Sequence, residues 1–513
     1  MKQNTREKAK VVHPSAIKGK AKVIQNADGL DAYGRKAKGE LFLLAAGRFF
    51  GEGSFYESDS TKRFTDLVHK VTKSDPEWVA LFLSWLRNSA NIRTAAIVGA
   101  AEYVKAGGPN GRQVVKSVLV RGDEPAELLA YWIKNHGKKI PQPIKRGIKD
   151  RAQALYTQRN FARWDSKGSQ VRMADVVELT HPVPQSAEQN DLFKYMLEDR
   201  HGRGSFEDKA LFDLKNRADC VSREDYLQEL LNDNHTVSWE NVSSAGSGPM
   251  TAAQWSALYP KMGYMARLRN LNNLDKAGVD TKTKRTIGEY LANAQNVEQS
   301  RQLPLRFFAA YRNTSDDVWK GYLSEALDHS LKNVPYVGGK WLVLVDASGS
   351  MFYNTSSQSE MTYYDTASVF AAAFAKVNDC VVRTYSNGLS PILDTKGKNT
   401  LRIVEDLRGR TYATGGGTNT ATSLKAAFNS KYDHVLLLTD EQYNGGYYSW
   451  SGNPSDSIPK SVPMYTFNLA GYKAGHKIEP NRITIGGLSD SGFDMIAAAD
   501  QSANDHTDKW PWE

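Results

Sequence analysis

The chain has 513 residues, 40% of them hydrophobic and 24% charged, with a formal net charge of +9. That length exceeds one ordinary core and predicts two or three soluble globular domains. No apolar run approaches the roughly 20 residues of a membrane helix, and the N-terminus lacks the apolar segment of a secretory signal. The two cysteines, Cys220 and Cys380, stand far apart. They argue against a disulfide or zinc framework and for a reducing, cytoplasmic setting. Charge is uneven. The first 339 residues carry 51 Lys and Arg against 39 Asp and Glu, a net of +12, and the remainder carries 15 against 18, a net of −3. Binding to a polyanion therefore belongs to the N-terminal part, the alternative being a solvated basic surface.

Residues 1–30 read as a basic arm. Among the first 24 positions Lys2, Arg6, Lys8, Lys10, Lys18, Lys20 and Lys22 face one acid, Glu7. Such an arm either touches nucleic acid or aids solubility. From about Leu41 to Leu331 the pattern is helical. Asp75-Pro76-Glu77 combines an N-cap, a proline at the first helical position and an acid in the first turn. Trp78, Leu81, Phe82, Trp85 and Leu86 then recur at the offsets of one buried helix face. Ser222-Arg223-Glu224-Asp225 predicts a capping box ahead of Tyr226, Leu227, Leu230 and Leu231. Gln185–Gly204 and Ser243–Pro249 read as polar loops. Many short helices without a sequence period suggest a solenoid of diverged helix pairs. After Gly339 the pattern becomes strand-helix alternation. Strands are predicted at Trp341–Val345, Val381–Tyr385, His434–Thr439 and Met464–Leu469. Helices are predicted at Tyr364–Val377, with Val369, Phe370, Ala373, Phe374 and Val377 inward, and from Gly492 to Ala499. This is a doubly wound α/β domain of about 170 residues.

The run Trp341–Val345 ends in Asp346, Ser348 and Ser350, a carboxylate and two hydroxyls on alternate residues. Hard oxygen ligands at a strand's C-terminal end suit Mg²⁺, with Ca²⁺ or Mn²⁺ as alternatives. Thr418, in the glycine-rich Gly415–Thr418 loop, and Asp440, after the apolar strand Val435–Thr439, supply two further oxygens. No P-loop lysine follows the glycines, and neither a His-Glu-x-x-His motif nor a nucleophile elbow is present. Asp-x-Ser-x-Ser after a buried strand resembles the metal-ion-dependent adhesion site (MIDAS) of von Willebrand factor A (vWA) domains. The resemblance implies a divalent cation with one coordination position open to an acidic partner. An empty or purely structural site is the alternative.

Leu86-Arg87-Asn88, Asn91–Ala95, Pro143–Ile148, Met173–Pro182 and Ala266–Leu271 resemble segments of the TROVE family of Ro-like RNA-binding proteins. The likeness runs from about residue 30 to 335 and joins the vWA-like domain. It implies a HEAT-like all-helical ring at 31–335 followed by a vWA domain at 340–513. It further implies a monomeric, noncatalytic ribonucleoprotein component. Its RNA would be a small noncoding Y-like or tRNA-like species, together with single-stranded 3′ ends of misfolded RNA. A nuclease or other acidic protein would be recruited through the MIDAS. Candidate RNA contacts are Lys138, Lys139, Lys145, Arg146, Lys149, Arg163, Lys167, Arg172 and His181. Arg87, Arg93, Arg267 and Arg269 are candidates for the ring interior. The bland alternatives are a solvated face for the lysines, a satisfied helix-end histidine for His181, and structural ion pairs for the arginines. Metal-dependent RNA hydrolysis is disfavoured, because the fixed carboxylates are few and no general base is evident.

Overall fold

In the computed structural model Asp75 caps the helix Pro76–Asn88, its carboxylate accepting from the Trp78 N–H at 3.1 Å. Trp78, Val79, Phe82, Leu83, Trp85 and Leu86 form its buried face. Leu81, expected inward, is 42% exposed, because the stripe centres on Val79, Phe82 and Leu86 and leaves position 81 off it. The predicted capping box at Ser222 is present, with the Asp225 N–H donating to Ser222 Oγ at 3.1 Å. Leu230 is buried, but Leu231 faces out.

The model describes residues 22–25, 31–34, 37–47, 60–90, 92–203, 209–302, 304–334, 336–355, 360–410, 416–442, 453–470, 481–486 and 496. Most of the basic arm, Gly415, and all of the expected Gly492–Ala499 helix except Ile496 lie outside them. Lys22–Gln25, at the end of the expected arm, is a strand paired antiparallel with Asp31–Gly34. Packing divides the chain into Val68–Lys284 and a second unit of Met1–Leu67 with Arg285–Glu513.

The Val68–Lys284 unit is helical throughout its described residues. The expected loop Gln185–Gly204 is instead largely the helix Ala187–Arg200, capped by Ser186 through the Gln189 N–H at 3.1 Å. Its polarity hides a narrow apolar stripe of Leu192, Phe193 and Met196, all buried. Helix Gln142–Leu155 buries Ile144, Gly147, Ile148 and Ala152, at offsets of 3, 4 and 8 from the first. At Gly147 a Cβ would stand 2.6 Å from Val115 Cγ1, so only glycine lets this helix approach Gly111–Val118 so closely. Arg112 clamps the same crossing with two bonds to Asp150, at 2.8 and 2.9 Å.

The second unit carries a five-stranded, all-parallel sheet. Its order is Cys380–Tyr385, Trp341–Asp346, His434–Thr439, Met464–Asn468, Arg482–Gly486. The interior strand Trp341–Asp346 is buried at every position, as its continuous apolar run predicts. Trp341 packs edge-on to Phe374 at 5.0 Å and stacks on His434 at 4.4 Å. Helix Tyr363–Val377 starts at a Thr362–Asp365 capping box and buries Val369, Phe370, Ala373 and Phe374; Val377 is only half-buried. Helices before the sheet belong to this unit. Arg312 in Pro304–Asn313 pairs with Asp365 at 2.7 Å, and Tyr311 donates to Glu405 at 3.1 Å. Asp328 in Asp317–Ser330 accepts from the Thr400 N–H at 3.0 Å. The change of pattern near 335–340 is thus a change of secondary-structure class, and the packing boundary falls earlier. No helix among the described residues is long and apolar enough to cross a membrane.

One buried carboxylate gathers three helices of the helical unit. Glu102 accepts from His69 Nε2 at 2.6 Å, Tyr131 OH at 2.6 Å and His136 Nε2 at 2.7 Å, with 3% of its side chain exposed. Burial opposes its charge, but the bonds from Tyr131, His136 and His69 outweigh burial and hold the carboxyl below its usual range. A depressed carboxyl adds stability above its unfolded-state pKa that is lost as pH falls through the folded value. Glu102→Ala is expected to lower unfolding free energy by about 3 kcal/mol near neutrality, leaving three donors unmatched. Denaturant titrations of both proteins should show that gap narrowing on acidification below the ordinary glutamate range.

Candidate metal centre and nucleic-acid interface

Parallel strands deliver their C-terminal ends to one edge of a sheet. Asp346 closes the strand Trp341–Asp346 opposite Tyr385, and Val345 lies opposite Leu438, two residues before Asp440. Numbered along the chain, the strand order is 2-1-3-4-5, so the connections diverge on either side of the Trp341–Asp346 strand. Ligands bind in the crevice at such a switch point. Asp346 and Asp440 end the two strands that flank it.

Both carboxylates are buried. Asp346 Oδ2 accepts from Thr439 Oγ1 at 2.5 Å and from Tyr385 OH at 3.3 Å, and Oδ1 from the Ser348 N–H at 2.9 Å. The Ser348 and Ser350 hydroxyls lie 3.4 Å apart. Asp440 Oδ1 accepts from the Gln442 N–H at 3.1 Å, whereas Oδ2 is buried with no hydrogen-bond partner. The Gly349 N–H donates to Gly416 O at 3.1 Å, docking the glycine-rich loop and buried Thr418 on the first loop. Gly417 packs beside Asn387, where a Cβ would fall 2.1 Å from Oδ1, so a larger residue would have to displace that exposed side chain. Burial pushes both carboxyls above their usual range, and the charge of Asp346 raises Asp440 further. Among the described residues neither is paired with Lys or Arg, and no group of three His, Cys, Asp or Glu that could hold a metal gathers anywhere, here included, so hydroxyls must complete any ligand set at this pair. Two buried carboxylates, three hydroxyls and one orphaned oxygen fit a hard divalent cation.

Glu441, next to Asp440, has φ +60 and is fully buried. It accepts from Asn468 Nδ2 at 2.7 Å and Thr484 Oγ1 at 3.2 Å, on the two neighbouring strands. Tyr385, Thr439 and Glu441 had no role in the motif reading. Their only signal is register, since each stands at or beside a strand end next to a candidate ligand.

The candidate cations of the helical unit divide into two groups. Lys138, Lys139, Arg146, Arg163 and Lys167 are exposed, and Lys145 and Lys149 are half-exposed. Lys145, Arg146 and Lys149 lie off the buried stripe of their helix. Trp132 Nε1 pins the preceding loop by donating to Lys139 O at 3.1 Å. Arg172 is different. It is buried, donating to Asp165 at 2.8 Å and Asp199 at 2.7 Å, which corrects its expected place on an RNA surface. Arg87, expected at a ring interior, is likewise buried against Glu124 at 2.6 Å. Arg93 donates to Glu127 at 3.2 Å, and burial lowers its pKa. Arg267 donates to Met262 O and Pro260 O, both at 2.7 Å. Arg269 is exposed. His181 is the left-handed C-cap of Met173–Thr180, with φ +48 and its N–H on Val177 O at 2.9 Å; its side chain is exposed.

The TROVE domain family model matches residues 234–362, a window that ends just past Asp346, Ser348 and Ser350. No curated protein matches the chain at significance. Among solved structures, the crystal structure of the Ro (RSR) protein of Deinococcus radiodurans is similar, with a TM-score of 0.67 and 16% identity. The alignment covers 90% of this chain and 99% of that one. At this identity the likeness is one of fold.

A raised carboxyl pKa favours folding at low pH, and that contribution is lost as pH rises through the folded value. The cation-free protein therefore loses stability from this pair as pH climbs from the ordinary aspartate range to about 7. Metal binding must release the same protons. Mg²⁺ is expected to raise the melting temperature more at about pH 8 than at about pH 5.5. Asp440→Asn should abolish that increment while leaving the cation-free protein at least as stable near neutrality; an unchanged Mg²⁺ response would count against the site.

Proposed function

We propose that this chain is a noncatalytic, cytoplasmic RNA-binding protein that forms a ribonucleoprotein with a small noncoding RNA of Y-like or tRNA-like structure. It would also take single-stranded 3′ ends of misfolded RNA. The observation that carries this reading is the set Lys138, Lys139, Lys145, Arg146 and Lys149. All are exposed or half-exposed and none is in an ion pair among the described residues, while the buried arginines around them are matched to carboxylates. A surface of unmatched cations binds phosphates by releasing counterions, with shape rather than base edges setting preference. The TROVE match and the Ro-like fold support the same reading.

The second part of the proposal is a vWA-type module whose Asp346, Ser348, Ser350, Thr418 and Asp440 hold Mg²⁺. The orphaned, buried Asp440 Oδ2 favours it. The cation would supply an electrophilic anchor for a carboxylate of an acidic protein such as a nuclease. Asp346 and Asp440 supply charge, and the hydroxyls of Ser348, Ser350 and Thr418 complete an oxygen set.

Filter binding at low salt should show RNA retention that falls steeply as salt rises. The triple reversal Lys145→Glu, Arg146→Glu, Lys149→Glu should flatten the slope of log affinity against log salt by about 2 to 3, roughly one per lost phosphate contact. An unchanged slope would exclude this surface. Asp346→Ala should leave RNA affinity intact and remove an EDTA-sensitive protein partner from pull-downs.

A further inference from the structure

We propose that Arg163, backed by the Trp164 indole, is a stacking platform for one unpaired nucleobase of a single strand; this rests on the RNA-binding reading above. Trp164 ends the helix Gln158–Trp164 and is half-buried. Two guanidinium groups lie over its ring, Arg121 at 4.1 Å and Arg163 at 4.8 Å from the centroid. They differ in their other partners. Arg121 is fixed by Asp123 through bonds of 3.1 and 2.6 Å. Among the described residues the one carboxylate paired with Arg163 is Glu240, at 4.0 Å, and the two side chains are 42% and 48% exposed. A pair so long and so exposed contributes little. The indole, rather than a carboxylate, therefore orders the Arg163 plane, and the plane keeps solvent-facing donors.

Nucleobases stack on guanidinium planes as they do on aromatic rings, and a plane already held in place loses less entropy on binding. The surroundings suit a nucleotide. Arg159, exposed, precedes Arg163 by one helical turn and shares its face. Lys167 is exposed on the loop that follows. The one acid between Trp164 and Arg172 is Asp165, and it is turned inward onto Arg172 with 2% of its side chain exposed. The loop thus shows solvent a positive surface beside a flat cation, with its negative charge withdrawn.

Lysine in place of Arg163 keeps the charge and removes the plane. The test uses the full chain, the variant Arg163→Lys, a short adenylate oligonucleotide, and an abasic phosphodiester strand of equal length. Stacking predicts that the wild type prefers the adenylate strand. It also predicts that the variant loses about tenfold in affinity for that strand, with no change toward the abasic one. Equal binding of both strands by the wild type would overturn the platform while leaving phosphate binding standing. Equal losses on both strands, or no loss on either, would make Arg163 a phosphate contact or a bystander. A wild type that binds neither strand would remove this inference and the RNA-binding reading together. Thermal melting of the variant checks that the fold is unchanged.

Discussion

Everything at the sheet edge depends on a carboxylate placed where water cannot reach it. The strand Trp341–Asp346 is covered on both faces, so Asp346 ends a buried strand and must find its partners inside the protein. It finds them in Thr439 and Tyr385, on the two flanking strands. Those bonds stabilise one charge but not a second one nearby, and Asp440 sits within range of it. The sheet thus holds two acids in a geometry that is tolerable when protonated and favourable when a cation lies between them.

The helical unit solves a different problem with a division of labour between its cations. Two of its arginines are paired in the interior, Arg87 with Glu124 and Arg172 with Asp165 and Asp199, while exposed Arg112 clamps a crossing at the surface through Asp150. A planar fork with several donors suits a buried carboxylate, whereas a lysine on a long stem keeps its charge in water. Acids are drawn inward by this pairing.

Some of this was legible in the sequence for plain reasons. The interior strand Trp341–Asp346 announced itself by five apolar residues in a row, and the helix starts at Asp75 and Ser222 by their caps, because both signals are local. Helix Ala187–Arg200 was missed because only Leu192, Phe193 and Met196 form its buried stripe among many polar residues, and only contact with neighbours shows the stripe suffices. Arg172 and Arg87 were misplaced because a charged residue reads as exposed until its partner is known, and Asp199 and Glu124 lie 27 and 37 residues away. The ligand motif was visible, whereas Tyr385 and Thr439 were not, since a supporting hydroxyl has no pattern of its own.

Glu441 gives the site a mechanical character. A non-glycine residue at φ +60 is tolerated here because its buried carboxylate is bolted to Asn468 and Thr484 on the next two strands. The turn that carries Asp440 therefore moves with the sheet instead of as a loose loop. A displacement of that turn is resisted by three strands at once. Were a cation held there as proposed, a turn so anchored would favour an ion by its radius before its charge.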